Sequence, residues 1–186
     1  MGQVSVACTD AGVARVSYGP PPGPEPRPGT LASVLLEATL EELARYFGGH
    51  LKRFSVPVDM GSAQGSRRAV LSALHQTVGF GQTITYGGLA ARAGLEATAE
   101  PGNFVPPARV VGQIMASNPI ALIVPCHRVV AGTGLGGYGG GTGTDVKQWL
   151  LVFEGAIPAT LDWDAAGLPD RAVDGRQAKL TGSAST

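Results

Sequence analysis

The sequence predicts an α+β protein: a small N-terminal α/β domain over residues 1–62, a domain of winged helix-turn-helix order over 63–155, and a loose C-terminal extension over 156–186. Three observations lead there. Apolar residues recur at helical spacing in four stretches, 31–47, 66–78, 108–118 and 145–154. Two short β-type runs near the N-terminus flank a turn. Downstream, the order runs helix, turn, helix, apolar strand, hairpin, which is the order of a winged helix-turn-helix and points to DNA.

Taken along the chain, residues 4–7 (VSVA) and 13–18 (VARVSY) read as a hairpin across Thr9-Asp10-Ala11-Gly12. The proline-rich stretch 20–29 excludes helix and central strand and reads as an extended linker. Leu35, Leu36, Leu40, Leu43, Ala44 and Phe47 share a helical face that ends at Gly48-Gly49. FSVPVDM, 54–60, reads as a strand. Val70, Leu71, Leu74 and Val78 define the next helix, and a short third helix covers 85–93 up to Gly94. Residues 95–107 read as irregular. Pro106 and Pro107 suit the first turn of the helix at 108–118, and Asn118-Pro119 ends it. IALIV, 120–124, reads as a buried strand, 127–143 as a hairpin or wing, and 145–154 as a final helix.

A chain of 186 residues, 44% hydrophobic and only 15% charged, buries a substantial core as one domain or two small ones. Fourteen basic residues balance fourteen acidic ones, which excludes a generally basic nucleic-acid coat. The middle, 66–154, carries six basic and four acidic groups, a small surplus compatible with a local phosphate footprint. Cys8 and Cys126 stand far apart, and with His50, His75 and His127 they make neither a disulfide framework nor a zinc site. No secretory leader, myristoylation pattern or membrane-spanning run is read. The expectation is a soluble, reducing setting, cytoplasmic or associated with nucleoid or nucleus, with no cofactor and no metal.

The chemistry is concentrated in Asn118-Pro119 and Pro125-Cys126-His127-Arg128-Val129. A cysteine flanked by an imidazole and a guanidinium is expected to have a lowered pKa, and the thiolate is the nucleophile. Adjacency alone is weak, because neighbours on a strand face opposite ways. An isolated cysteine in this position reads as readily as a small buried hydrophobe.

The match is longer than a dipeptide. Gly81-Gln82-Thr83-Ile84-Thr85-Tyr86-Gly87, Arg109-Val110-Val111-Gly112, Asn118-Pro119, Pro125 to Val129, Gly137-Tyr138-Gly139-Gly140, Lys147, Leu150-Leu151 and Glu154-Gly155 follow in order. Over about Arg67 to Gly155 the chain resembles the O6-alkylguanine-DNA alkyltransferases. The resemblance implies a ribonuclease-H-like N-terminal domain before the winged helix, and a monomer acting on double-stranded DNA that contains O6-alkylguanine. It implies that Cys126 takes the alkyl group irreversibly, one transfer per molecule. His127 is then the base working through a water, Glu154 its orienting group, and Asn118 the brace of the active-site turn. Flipping the lesion out of the duplex falls to Arg109 at the start of a minor-groove helix, with Ala108 and Gly112 allowing close backbone approach. Tyr86 turns the flipped phosphate and donates to the leaving guanine. Met115, Val129, Tyr138 and Gly139 line the pocket, and Arg128 is structural.

The chain departs from that pattern in places. Val78-Gly79-Phe80-Gly81 lacks the family's proline and tyrosine, residues 96–107 form an insertion carrying Glu96 and Glu100, and Gly143 and Thr144 are extra. Gly65 and Leu71 stand where the family has aromatic residues. Three other readings remain at this point. They are a non-catalytic sensor of alkylated DNA, a winged-helix regulator (which the single charge of ARVVGQIMASN disfavours), and a cysteine hydrolase.

Overall fold

The computed structural model describes residues 3–20, 26–61, 63–100, 103–138 and 143–158. Strands β1 (Val4–Thr9) and β2 (Gly12–Tyr18) form an antiparallel hairpin with a register shift between Ala7 and Cys8. Helix α1 (Leu31–Phe47) starts at Thr30, whose side chain accepts from the Ser33 N–H, and packs on the hairpin with Leu43 and Tyr46 buried. Helix α2 (Gly65–Thr77) buries Val70, Leu71 and Leu74, the periodic face read from sequence. The short strand β3 (Ile84–Thr85) runs into α3 (Tyr86–Arg92), where Thr85 accepts from the Gly88 N–H at 3.0 Å.

Strands β4 (Thr98–Glu100) and β5 (Asn103–Val105) pair antiparallel ahead of α4 (Pro107–Ala116), which has proline in its first turn. Thus the stretch 95–107, read as irregular, carries a small hairpin between α3 and α4, and those two helices still pack together. Arg67 at the start of α2 donates to the Ser117 hydroxyl and carbonyl at 2.8 and 2.7 Å, fixing the end of α4. A 3-10 turn at Cys126–Arg128 leads into β6 (Val129–Val130), and α5 (Thr144–Phe153) follows. The linker over 20–29 and the C-terminal extension were expected on residues that lie largely outside the described ones.

Three strand expectations are corrected. FSVPVDM makes only the isolated bridge Val13–Val58. Residues 127–131 form no hairpin: β6 pairs in parallel with β3, and only the Ala131–Gly134 bridge marks a turn. IALIV makes only the isolated bridge Ile120–Val16 and is otherwise no strand, although it is largely buried. The Ile123 N–H bonds to Ala121 O at 2.9 Å across Leu122 at φ +70°, the rare and strained kind of γ-turn. The Cys126 N–H bonds to Val124 O at 2.8 Å across Pro125 at φ −83°, ψ 68°, the common inverse γ-turn.

Both turns are held by Asn118. Its Oδ1 accepts from the Ile120 N–H at 3.1 Å and its Nδ2 donates to Val124 O at 2.8 Å. One amide thus closes a loop that ends on the cysteine. The strain at Leu122, of order 1–3 kcal/mol, is offset by burying its side chain to 1% exposure.

One buried cluster runs through Val13 and Val16 of β2, Tyr46 of α1, Leu74 of α2, Leu89 of α3, Val111 of α4, the 120–124 loop and Leu150 of α5. Among the described residues no helix is long and apolar enough to cross a membrane.

Asn118→Ala removes both bonds of the loop closure. It is expected to lower the unfolding free energy by about 1–3 kcal/mol in a urea titration. A variant with an unchanged midpoint would mean that the two γ-turns hold themselves.

Candidate active site

Cys126 is the first residue of the 3-10 turn and 7% exposed, at the end of the loop that Asn118 closes. The expected lowering of its pKa is not found. Burial pushes the thiol up, and Asn118, Lys147 and Tyr138 only partly counter this. Sequence neighbours suggested thiolate, but desolvation of a nearly enclosed sulfur outweighs them. His127 is completely buried, and desolvation likewise lowers its pKa despite Glu154. The resting pair is therefore a neutral thiol and a neutral imidazole.

Glu154 is the C-cap of α5, followed by Gly155 at φ +70°. A helix C-terminus repels an anion, and burial alone would raise this carboxyl. It is nonetheless held well below the carboxylate range by hydrogen bonds from His127 and Arg128 and by the charge of Arg128. His127 Nε2 lies 3.0 Å from Oε1; Arg128 Nε donates to Oε2 at 2.9 Å and Nη2 to Oε1 at 2.8 Å. The Gly81 N–H reaches Oε2 at 3.3 Å, and the Tyr46 hydroxyl donates to Oε1 at 2.7 Å.

Those partners settle the imidazole tautomer. An ionised carboxylate only accepts, so Nε2 carries the hydrogen and Nδ1 presents the lone pair. Nδ1 is the one buried side-chain nitrogen or oxygen without a hydrogen-bond partner among the described residues. The residue after Cys126 thus carries a buried imidazole lone pair on Nδ1, with the Glu154 carboxylate bonded to the opposite ring nitrogen.

The remaining predicted residues fall into two groups. Tyr86, the first residue of α3, is half-buried and donates to Gly137 O at 3.2 Å. Gly136, at φ +68°, packs on its ring, and a Cβ there would come within 2.8 Å of it. Tyr86, Gly112, Met115, Cys126 and Tyr138 share a cavity of about 270 Å³. Val129 O accepts from Lys147 Nζ at 2.6 Å, and Cys126 O accepts from the Val129 N–H, leaving each carbonyl a second lone pair. On α4, Arg109 is exposed, while Ala108 and Gly112 are half-buried. Gly139 lies outside the described residues. A larger cavity of about 520 Å³, among Lys52, Arg53, His75, Phe80 and Arg128, reaches neither Cys126 nor Tyr138.

Sequence reading missed Tyr46, Tyr18 and the use of Lys147. Tyr18 OH lies 3.0 Å from Tyr138 OH, across 120 residues of chain. Lys147 is fully buried, donates also to Gly137 O at 3.1 Å, and is lowered to about 8 by desolvation. The Gly-Tyr-Gly-Gly run followed by a lone lysine on an apolar helix face was a signal for it. Nothing local marks either tyrosine.

The family model of the 6-O-methylguanine DNA methyltransferase DNA-binding domain matches residues 65–156. The methylated-DNA–protein-cysteine methyltransferase of Mycolicibacterium paratuberculosis is 43% identical over 116 residues, 62% of this chain and 62% of its own length. The chain thus spans about three fifths of that relative. The protein of the same name from Methanopyrus kandleri is 38% identical over 67% of this chain and 84% of its own. The crystal structure of Mycobacterium tuberculosis OGT in complex with DNA is similar at a TM-score of 0.60 and 30% identity, over 82% of this chain and 92% of that one.

The low pKa of Glu154 fixes the sign of an acid dependence. The unfolded chain takes up this proton first, near the ordinary value of 4.5, so stability is present above that value and is lost as pH falls below it. Glu154→Gln, which leaves Arg128 buried without its anion, is expected to lower unfolding free energy at neutral pH by about 3–5 kcal/mol. It is also expected to flatten the acid limb of the stability curve. Chemical denaturation across that range reads both; a variant as acid-sensitive as the wild type would assign the limb to another group.

Proposed function

The chain belongs to the methylated-DNA–protein-cysteine methyltransferase family, and on that premise we propose that it repairs DNA by taking an alkyl group from O6 of guanine onto Cys126. The observation that supports this reading is a buried neutral thiol at Cys126 followed directly by His127, whose Nδ1 has no partner and whose Nε2 is bonded to the anchored Glu154 carboxylate. In the proposed reaction His127 Nδ1 receives the thiol proton through a water. The sulfur attacks the alkyl carbon, the carbon–O6 bond breaks, and its electron pair stays on guanine, which is protonated as Tyr86 hydrogen-bonds to it. The thioether leaves no group to regenerate the thiol, so each molecule acts once. The imidazolium is stabilised by the carboxylate 3.0 Å away.

In this reading residues 63–155 form the winged helix-turn-helix, with α3 and α4 as its two helices, and the N-terminal part, 1–62, is ribonuclease-H-like. The partner is double-stranded DNA with O6-alkylguanine, bound by a monomer. Helix α4 has a single cation, Arg109, and the small Ala108 and Gly112, a composition better suited to close approach and insertion than to reading base edges. Arg109 fills the space of the flipped nucleotide, at a cost of a few kcal/mol in unstacking. No cofactor is called for, since the protein's own sulfur is consumed.

Incubation with a duplex holding one O6-methylguanine is expected to add one methyl per molecule, mapped by peptide mass to Cys126, and then to stop. Cys126→Ser is expected to abolish transfer while retaining lesion binding. Lesion binding without an adduct on the wild type would instead indicate a sensor. Arg109→Ala is expected to slow transfer from duplex by at least about tenfold more than from single strands, because flipping costs a few kcal/mol only in the duplex. Equal slowing on both would remove the insertion role.

A further inference from the structure

A second cleft opens on the reacting cysteine. It holds about 340 Å³ and shares Met115, Ala116, Cys126 and Tyr138 with the 270 Å³ cavity that contains Tyr86. Its other side comes from the N-terminal hairpin and the loop after α4: Val16, Tyr18, Asn118 and Pro119. Cys126 and Tyr138 therefore stand on the boundary between the two spaces. A base held beside Tyr86 would direct its O6 substituent past the sulfur and into the second.

The hairpin is fixed there rather than laid against it. The Val16 N–H bonds to Pro119 O at 2.9 Å and the Ala121 N–H to Val16 O at 3.2 Å, so β2 continues into the loop that Asn118 closes. Tyr18 is two residues further along β2 and therefore on the face of Val16. At its base the Gly19 N–H bonds to Gln3 O at 2.8 Å, and Ser5 Oγ donates to Gly19 O. The Tyr18 ring meets that of Tyr138 edge to face, with centroids 6.4 Å apart, and their hydroxyls are 3.0 Å apart. Tyr138 and Cys126 line both spaces, and Tyr138 partly counters the upward push of burial on the thiol. Tyr18 is 37% exposed, so one side of its ring faces the open cleft.

We propose, resting on the alkyl-transfer reading, that Tyr18 determines specificity for the transferred group: its ring is the outer aromatic wall against which a substituent larger than methyl packs, and its hydroxyl holds Tyr138 at the boundary. A methyl group ends at the sulfur and touches neither face of the wall. A benzyl group extends into the cleft and meets it edge to face, a contact that stabilises aromatic pairs beyond the area they bury. The N-terminal hairpin thereby contributes a substrate-contacting residue to a site whose reacting groups all lie after position 80.

The test is single-turnover transfer from two duplexes, one with O6-methylguanine and one with O6-benzylguanine, read as adduct mass on Cys126. The wild type, Tyr18→Phe and Tyr18→Ala are compared after their thermal midpoints are shown to agree. Tyr18→Ala is expected to lower the benzyl-to-methyl rate ratio by about fivefold, the scale of one aromatic contact. Tyr18→Phe keeps the ring and is expected to retain most of the wild-type ratio, a rescue that a merely structural role would not produce. A ratio in Tyr18→Ala within about twofold of wild type, or one that rises, overturns the proposal. Absence of any adduct on wild-type Cys126 from either duplex overturns the alkyl-transfer reading itself, and this proposal with it.

Discussion

The buried carboxylate of Glu154 is the constraint on which the site depends. Placing an anion there is unfavourable twice over, through lost hydration of several kcal/mol and through the carbonyl end of α5. Five donor contacts offset that cost. They come from α1, from the loop before β3 and from the two residues after Cys126. Each donor is held where it is because the charge must be satisfied. The turn that carries Cys126 is thereby pinned to three segments distant in sequence.

From this anchoring follows an economy in how reactivity is controlled. A permanently ionised sulfur would be open to any oxidant or electrophile that reached it. Burial instead keeps the thiol and the imidazole neutral at rest.

Much of this was legible in the sequence, and the misses have physical causes. Helices α1, α2, α4 and α5 were found within one or two residues because their apolar faces repeat at 3.6 and their caps are local. The 120–124 segment was read as a strand because a short apolar run reports burial and not backbone direction. The deciding signals were the flanking asparagine and proline, whose bonds fold the run into two γ-turns. The thiol shift was misjudged because adjacency was read as electrostatics, whereas desolvation depends on the whole fold. Tyr46 and Tyr18 act across 108 and 120 residues, and no local pattern encodes such contacts.

The bond from Tyr46 to Glu154 also bears on how such chains can be recombined. The stretch matched by the family model starts at residue 65, and it is natural to regard it as a cassette. Its central carboxylate, however, takes a donor from α1, within an aromatic cluster of Phe47, Phe54, Phe80 and Phe153 around that tyrosine. A chimera joined at residue 65 would inherit Cys126, His127 and Glu154, but would owe its fourth anchoring segment to the foreign half. The unit that can be exchanged between relatives without rebuilding the site therefore begins inside α1, well ahead of the segment by which the family is recognised.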